Sequence, residues 1–231
     1  MLLKNFNWNF KPQKLKTIFL IIFLFCSTVF LFSAEKDISL TFHDGPNPNS
    51  TPQLLKILDD ANVKATFFVV GKMVKKYPEL LKEIYKRGHQ VAVHTYNHRN
   101  LTTLSTSEIL SELLRTKILI KQIIGIDTYL FTPPGGRYNE KVIETAMSCG
   151  FRMALWSVFP EDHRNPSPII YEKVVTNSRD GSVVLLHNGP PDTLDALPKI
   201  IEKLRARGFK FSTLSQLLAQ GKGKHIVYPR N

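Results

Sequence analysis

From residue 37 onward the chain alternates between short runs that are apolar almost throughout and longer runs with a single apolar face. The short runs are 37–42 (DISLTF), 64–70 (KATFFVV), 89–95 (HQVAVHT), 128–132 (TYLFT), 153–158 (MALWSV), 182–187 (SVVLLH) and 209–214 (FKFSTL). Such runs predict strands buried on both faces, which is the habit of parallel sheets. The longer runs predict helices over 50–62, 77–88, 105–125, 138–150, 167–178 and 193–208. Their ends carry stop and start signals. Ser50 or Thr51 is the expected N-cap ahead of Pro52, Ser105 and Glu108 form a capping box, and Gly71 and Gly88 end the elements before them. Strand and helix in strict alternation predict parallel strands joined by crossover helices. About seven parallel strands with surrounding helices fit a deformed (β/α) barrel; a flat doubly wound sheet is the competing arrangement. In both, ligand sites gather beyond the C-terminal ends of the strands.

Residues 1–34 follow another rule. Lys4, Lys11, Lys14 and Lys16 stand there without an acid, and 17–34 carries no charge at all. This pattern predicts a signal peptide or an uncleaved membrane anchor. Basic residues ahead of the apolar run keep the N-terminus in the cytoplasm and send the rest across, so the expected location is extracytoplasmic: secreted, periplasmic or anchored. Residues 35–231 are long enough for one domain with a full core, and 43% hydrophobic with 22% charged residues suits a globular fold. The net charge is +12, and the leader supplies only four of those charges. The remaining basic body reads first as a plain soluble basic surface, and it also suits anionic envelope polymers or lipid headgroups. No nucleic-acid motif accompanies the charge, and a monomer is expected. Cys26 lies in the leader and Cys149 stands alone, so no disulfide is expected after cleavage.

The chemistry-bearing residues fall at the strand ends. His43 and Asp44 follow the first strand, His94 and His98 the third, the turn 132–136 (TPPGG) the fourth, Trp156 and Asp162 the fifth, and His187 ends the sixth. The spacing H-x-x-x-H lets two imidazoles face one metal if the segment turns helically, and Asp44 offers a third ligand. Two histidines and a carboxylate with open positions suit zinc or another first-row divalent ion. Hydrolysis follows naturally, because such a metal polarises a carbonyl and lowers the pKa of water to about 7. His187 is then the acid for a leaving group, with Asp162 holding it protonated. Gly135 and Gly136 let the backbone approach a ligand, where an N–H could meet an oxyanion. Taken singly, His187 reads better as a polar residue capping a strand, and the two glycines read as a tight turn.

From Ile38 to Leu218 the sequence resembles the polysaccharide deacetylases of carbohydrate esterase family 4. TFHDGP (41–46) resembles the family's T-F-D-D-G-P, and HTYNH (94–98) matches its H-[ST]-x-x-H. FTPPGG (131–136) resembles F-R-P-P-x-G, WSVFPEDH (156–163) resembles W-S-x-D-x-x-D-W, and VLLHN (184–188) matches the closing L-x-H. The resemblance implies a divalent metal on Asp44, His94 and His98, with zinc first and cobalt or nickel behind it. It implies removal of N-acetyl, sometimes O-acetyl, groups from a polysaccharide. It makes His187 the acid and Asp162 its tuning partner. It places the Gly135 N–H in the oxyanion hole, and Thr132, Pro134, Trp156 and Leu185 around the substrate.

Four positions depart from that pattern. His43 stands where the family has its base, an Asp, and Thr132 where it has the Arg that steadies that base. Phe159 and His163 replace the first Asp and the Trp of the fourth motif. Two functional readings follow. In one the enzyme is active with His43 as base, steadied by the Thr132 hydroxyl, because imidazole is a competent base near neutral pH. In the other the base is lost and the domain is a catalytically impaired, glycan-binding relic. An O-acetyl polysaccharide esterase is a further alternative. The expected substrate is a cell-wall or surface glycan.

Overall fold

The protein is described from a computed structural model, which covers residues 35–223 and the backbone of 227–228. The chain divides into two units, Met1–Glu35 and Lys36–Asn231, and the architecture below is that of the second. The leader expected at 1–34 lies outside the described residues. Among those described, no helix is long and apolar enough to cross a membrane.

Strand β1 (Lys36–His43) is the axis of the sheet. It pairs in parallel with β6 (Ser182–His187) over Ile38–His43. Its other edge is shared by β2 (Thr66–Val69) at the C-terminal end and β7 (Phe209–Phe211) at the N-terminal end. From β2 the sheet runs on in parallel through β3 (Gln90–Val93), β4 (Leu130–Phe131) and β5 (Arg152–Ala154). A short β8 (Val227–Tyr228) adds to β5 in the antiparallel sense. Beyond β5 the chain bends across to β6. Ser157 and Val158 donate their N–H groups to Val183 O at 3.0 and 3.1 Å, and Leu185 N–H donates back to Val158 O at 2.9 Å. This single bridge closes six of the seven parallel strands into a deformed (β/α) barrel, with β7 beside the N-terminal part of β1. It is also why the strand expected over 153–158 is cut in two: its second half reaches for a different neighbour.

Eight helices surround the strands among the described residues: α1 (Thr51–Asp60), α2 (Gly71–Lys76), α3 (Pro78–Lys86), α4 (Thr106–Ile124), α5 (Glu140–Ser148), α6 (Ser167–Asn177), α7 (Pro191–Ala206) and α8 (Leu214–Ala219). The capping box of α4 forms as the sequence predicts. Ser50 precedes α1 but does not cap it with its side chain, because its hydroxyl donates to Asn188 Oδ1 at 3.0 Å instead. Gly71 does not merely end a strand; it begins α2. Helix α8 replaces the end of the strand expected over 209–214. Thr213 and Gln216 form its capping box, and its first N–H is taken by the Thr66 hydroxyl at 2.8 Å.

The period of two along each strand separates two cores. On β1, Ile38, Leu40 and Phe42 join the layer between sheet and helices. A smaller cluster fills the barrel: Phe68, Ala92, Leu130, Ala154 and Val183, with Leu214 and Leu217 of α8. Thr66 begins β2, so α8 plugs the N-terminal mouth. The opposite mouth is left for chemistry.

Candidate active site

A cleft of about 660 Å³ opens at the C-terminal mouth, lined by His43, Asp44, His94, His98, Trp156 and His187 among others. Alternation explains the set. His43 extends the series Ser39, Thr41 on β1, and His187 extends Val183, Leu185 on β6, so both rings top the inward face. The two histidines stand opposite each other in the pairing register, with ring centroids 6.3 Å apart.

Asp44, His94 and His98 meet as the sequence predicts. Asp44 Oδ1 lies 3.2 Å from His94 Nε2 and 3.1 Å from His98 Nε2. The other nitrogen of His94, Nδ1, donates to Thr132 O at 2.7 Å, which leaves Nε2 with a free lone pair. Asp44 Oδ1 is buried and makes no hydrogen bond. Burial pushes the Asp44 carboxyl up, but the two imidazoles beside it hold it well below the usual carboxylate range. An ionised oxygen facing two imidazole nitrogens is a donor set for a cation, and the residues fit a divalent metal. The route to this geometry differs from expectation. Residues 94–98 form no helical turn; Thr95 and His98 adopt left-handed backbone angles, with φ of 62° and 61°.

His187 is held from two directions. Its Nδ1 donates to Asp162 Oδ1 at 2.6 Å and its N–H to Asp162 Oδ2 at 2.7 Å, where the Thr193 hydroxyl also donates at 2.6 Å. Burial alone would lower the His187 pKa, but the hydrogen bond to Asp162 and the charges of Asp162 and Asp44 raise it. Burial likewise opposes ionisation of Asp162, and the bonds from His187 and Thr193 overcome it, so its carboxyl sits below the usual range. His187 therefore keeps a proton and turns Nε2 free of Asp162.

His43 is the opposite case. It is buried against Phe68, with ring centroids 4.9 Å apart, and edge-on to His94 at 5.0 Å. Burial first, and then the charges of His94 and His187, hold its pKa well below the ordinary value. Its tautomer can be deduced. The Thr41 hydroxyl has one proton, which goes to Val184 O at 2.9 Å, an atom that only accepts. The contact of Thr41 Oγ1 with His43 Nε2 at 3.0 Å must then be donated by the ring. The lone pair lies on Nδ1, which is buried and unpartnered.

Thr132 does not steady His43, contrary to expectation. Its hydroxyl donates to Ala154 O at 2.7 Å, since the parallel neighbour β5 presents a carbonyl closer at hand. Its part in the site is its own carbonyl, which orients His94. Thr132 and Pro134 are buried beneath the cleft, and Pro133 lines it in their place. Gly135, Trp156 and Leu185 do line it. Gly136, at φ 67°, is required by its contact: a Cβ there would sit 2.6 Å from Trp156 Cη2. Phe159 and His163, the two substitutions in the fourth motif, stack on each other with centroids 5.9 Å apart and wall the cleft beside His187. Residues the sequence reading missed are Thr41, Asn188, Arg137 and Arg164. Asn188 follows His187 directly, and its amide Nδ2 would lie 2.3 Å from a Cβ on residue 45, which is why Gly45 precedes Pro46. Arg137 and Arg164 line the cleft from two loops, exposed, and among the described residues neither makes an ion pair.

A barrel whose C-terminal mouth holds a two-histidine, one-carboxylate set beside two oppositely biased imidazoles defines a class of metal-site hydrolase folds. The polysaccharide deacetylase family model matches residues 33–154, and the chain belongs to that family. It is 39% identical over 190 residues to a peptidoglycan-N-acetylglucosamine deacetylase of Bacillus cereus, covering 80% of this chain and 89% of that one. Peptidoglycan deacetylase PdaC from Bacillus subtilis superposes with a TM-score of 0.76 at 37% identity, over 80% of this chain and 91% of that one. A family pseudoenzyme from Bacillus anthracis superposes equally well, at 0.76 and 30% identity, over 80% of this chain and 66% of that one.

Proposed function

We propose that this chain is a metal-dependent deacetylase that hydrolyses N-acetyl groups on an extracytoplasmic amino-sugar glycan, with His43 as the base and His187 as the acid. The observation that carries the reading is the opposed hydrogen bonding of the two imidazoles beside Asp44, His94 and His98. A divalent metal on those three residues, zinc in this reading, would polarise the acetyl carbonyl and lower the pKa of the attacking water. His43 Nδ1 takes the water proton as the C–O bond forms. The Gly135 N–H meets the oxyanion, while Trp156 and Leu185 enclose the methyl group. His187 Nε2–H gives its proton to the departing nitrogen as the C–N bond breaks, leaving acetate and a free amine. Asp162 keeps His187 charged and oriented.

Relatives named for peptidoglycan support a cell-wall substrate. Arg137 and Arg164, exposed on the cleft walls, support a glycan bearing carboxylates. In this reading residues 1–34 take the domain across the membrane. The pseudoenzyme neighbour and the substituted base favour a second reading, a relic that binds glycan without turnover. The discriminating experiment is acetate release from N-acetylglucosamine oligomers by the full chain, with and without added zinc. Zinc-dependent release that falls ~10²–10⁴-fold in His43→Ala, with zinc retained, supports the first reading. An inert wild type, restored by His43→Asp with Thr132→Arg, establishes the relic.

A further inference from the structure

Glu112 is a charged side chain only 4% exposed, on the α4 face turned toward the barrel, and the mechanism above does not use it. Its carboxylate accepts three hydrogen bonds from the loop between the two metal-ligand histidines. Tyr96 N–H and Asn97 N–H donate to Oε2 at 2.9 and 2.7 Å, and Asn97 Nδ2 donates to Oε1 at 2.7 Å. The loop needs such a hold. Thr95 and His98 both sit in left-handed backbone angles, which are strained for residues other than glycine and persist only where the surroundings fix them. The other restraints are weaker in kind: His98 N–H to Thr95 Oγ1 at 3.1 Å, and Gly71 and Lys72 N–H to the carbonyls of Thr95 and Tyr96. The Arg115 guanidinium lies over the Tyr96 ring at 3.7 Å and presses the same segment onto α4. The carboxylate alone gathers two successive backbone N–H groups and a side-chain amide, one residue from His98.

We propose that Glu112 is a positioning residue for the metal centre: it fixes the bent loop 95–98 so that His98 Nε2 is presented to Asp44 alongside His94. The inference rests on the metal-site reading but not on turnover. Losing it should loosen His98, which is half-exposed, more than His94, which is buried and separately tied to Thr132 O.

The test uses zinc(II) and the full chain, titrated against a chelating dye, with hydrogen exchange at residues 95–98 and melting of the metal-free protein measured alongside. Glu112→Ala should weaken zinc ~10–100-fold, the usual effect of removing a group that orients a ligand. Exchange should rise at 95–98. Glu112→Gln should rescue most of the affinity, because an amide oxygen accepts both backbone N–H groups and an Asn97 flip restores the third bond. Asn97→Ala, at an exposed position, removes one bond of three and should cost only a few-fold, so it reports even if Glu112→Ala does not fold. Wild-type zinc affinity in Glu112→Ala or in Asn97→Ala, with only the melting temperature lowered, makes the role merely structural and overturns the proposal. A wild type that binds no zinc removes the metal-site reading, and this inference with it. A wild type that binds zinc tightly and releases no acetate leaves the inference standing and removes only the proposed turnover.

Discussion

His43 and His187 occupy the same register on adjacent parallel strands, yet their surroundings treat them in opposite ways. His187 rests on a buried carboxylate, so it gains a proton partner and a raised pKa. His43 rests on a hydroxyl whose only proton is already committed to Val184 O, so it gains an acceptor for Nε2–H and nothing for Nδ1. Burial lowers both values; at His187 the bond to Asp162 and the charges of Asp162 and Asp44 reverse it, whereas at His43 the charge of Asp44 does not. The lesson is that the protonation of two identical rings is set by the neighbour behind each ring, not by the ring. In the proposed reaction the histidine in place of the family's aspartate serves through the lone pair on Nδ1.

The comparison can be broken from either side. Replacing His187 by Ala should cost the most, ~10²–10⁴-fold in turnover with zinc retained, measured as acetate release beside metal content. Asp162→Asn attacks the partner instead of the ring. In the proposed reaction His187 is the acid and must be protonated, so activity should be lost as pH rises through its raised value. Without the carboxylate that value falls, and the alkaline limb of the pH–rate profile should move to lower pH. The same pair bears on stability. His187 stabilises the fold below its unfolded value of ~6.5 and loses that contribution as pH rises through its raised folded value, whereas Asp162 loses its contribution as pH falls below the usual carboxylate range.

Thr41→Val removes the acceptor of His43 Nε2–H and should cost about tenfold in turnover, with Thr41→Ser near wild type. A buried N–H left unpaired also costs ~1–3 kcal/mol, which a melting curve would register. The smallest effect concerns another buried imidazole, His89, just before β3. His89 accepts the Ala65 N–H on Nδ1 at 3.2 Å, and burial, with the Lys64 charge, pushes its pKa down to about 4. Between ~6.5 and about 4 the unfolded chain takes up a proton that the folded chain refuses, so stability should fall as pH drops through that window. His89→Gln should flatten this slope without moving the pH–rate limbs. If it moved them, the division between site and scaffold histidines would fail.

How much of this was legible follows the length of the physical signal. The apolar runs marked all seven parallel strands, because burial on both faces leaves no room for polar residues except at the ends. Those ends then named Asp44, His94, His98, His187 and Trp156. Two short helices were hidden. Gly71–Lys76 is too brief to show a periodic face, and Leu214–Ala219 begins inside an apolar run that reads as strand, although Thr213 and Gln216 spelled its capping box. Thr132 was misread because sequence pairs a residue with its motif, whereas its hydroxyl simply takes the nearest carbonyl, that of Ala154. Thr41 and Glu112 were not legible at all. One is a strand residue two before His43 and the other a helix residue 14 after His98, and their roles exist only once strands and helix are packed.

The division of labour between the two imidazoles is tested most directly by nitrogen-15 NMR titration of His43 and His187 in the full chain. The account predicts a neutral His43 with its proton on Nε2 and its lone pair on Nδ1, titrating below an ordinary histidine, and a His187 that holds its charge to higher pH than an ordinary histidine. A His43 protonated on Nδ1, or one that keeps its second proton to higher pH than His187 does, would contradict it.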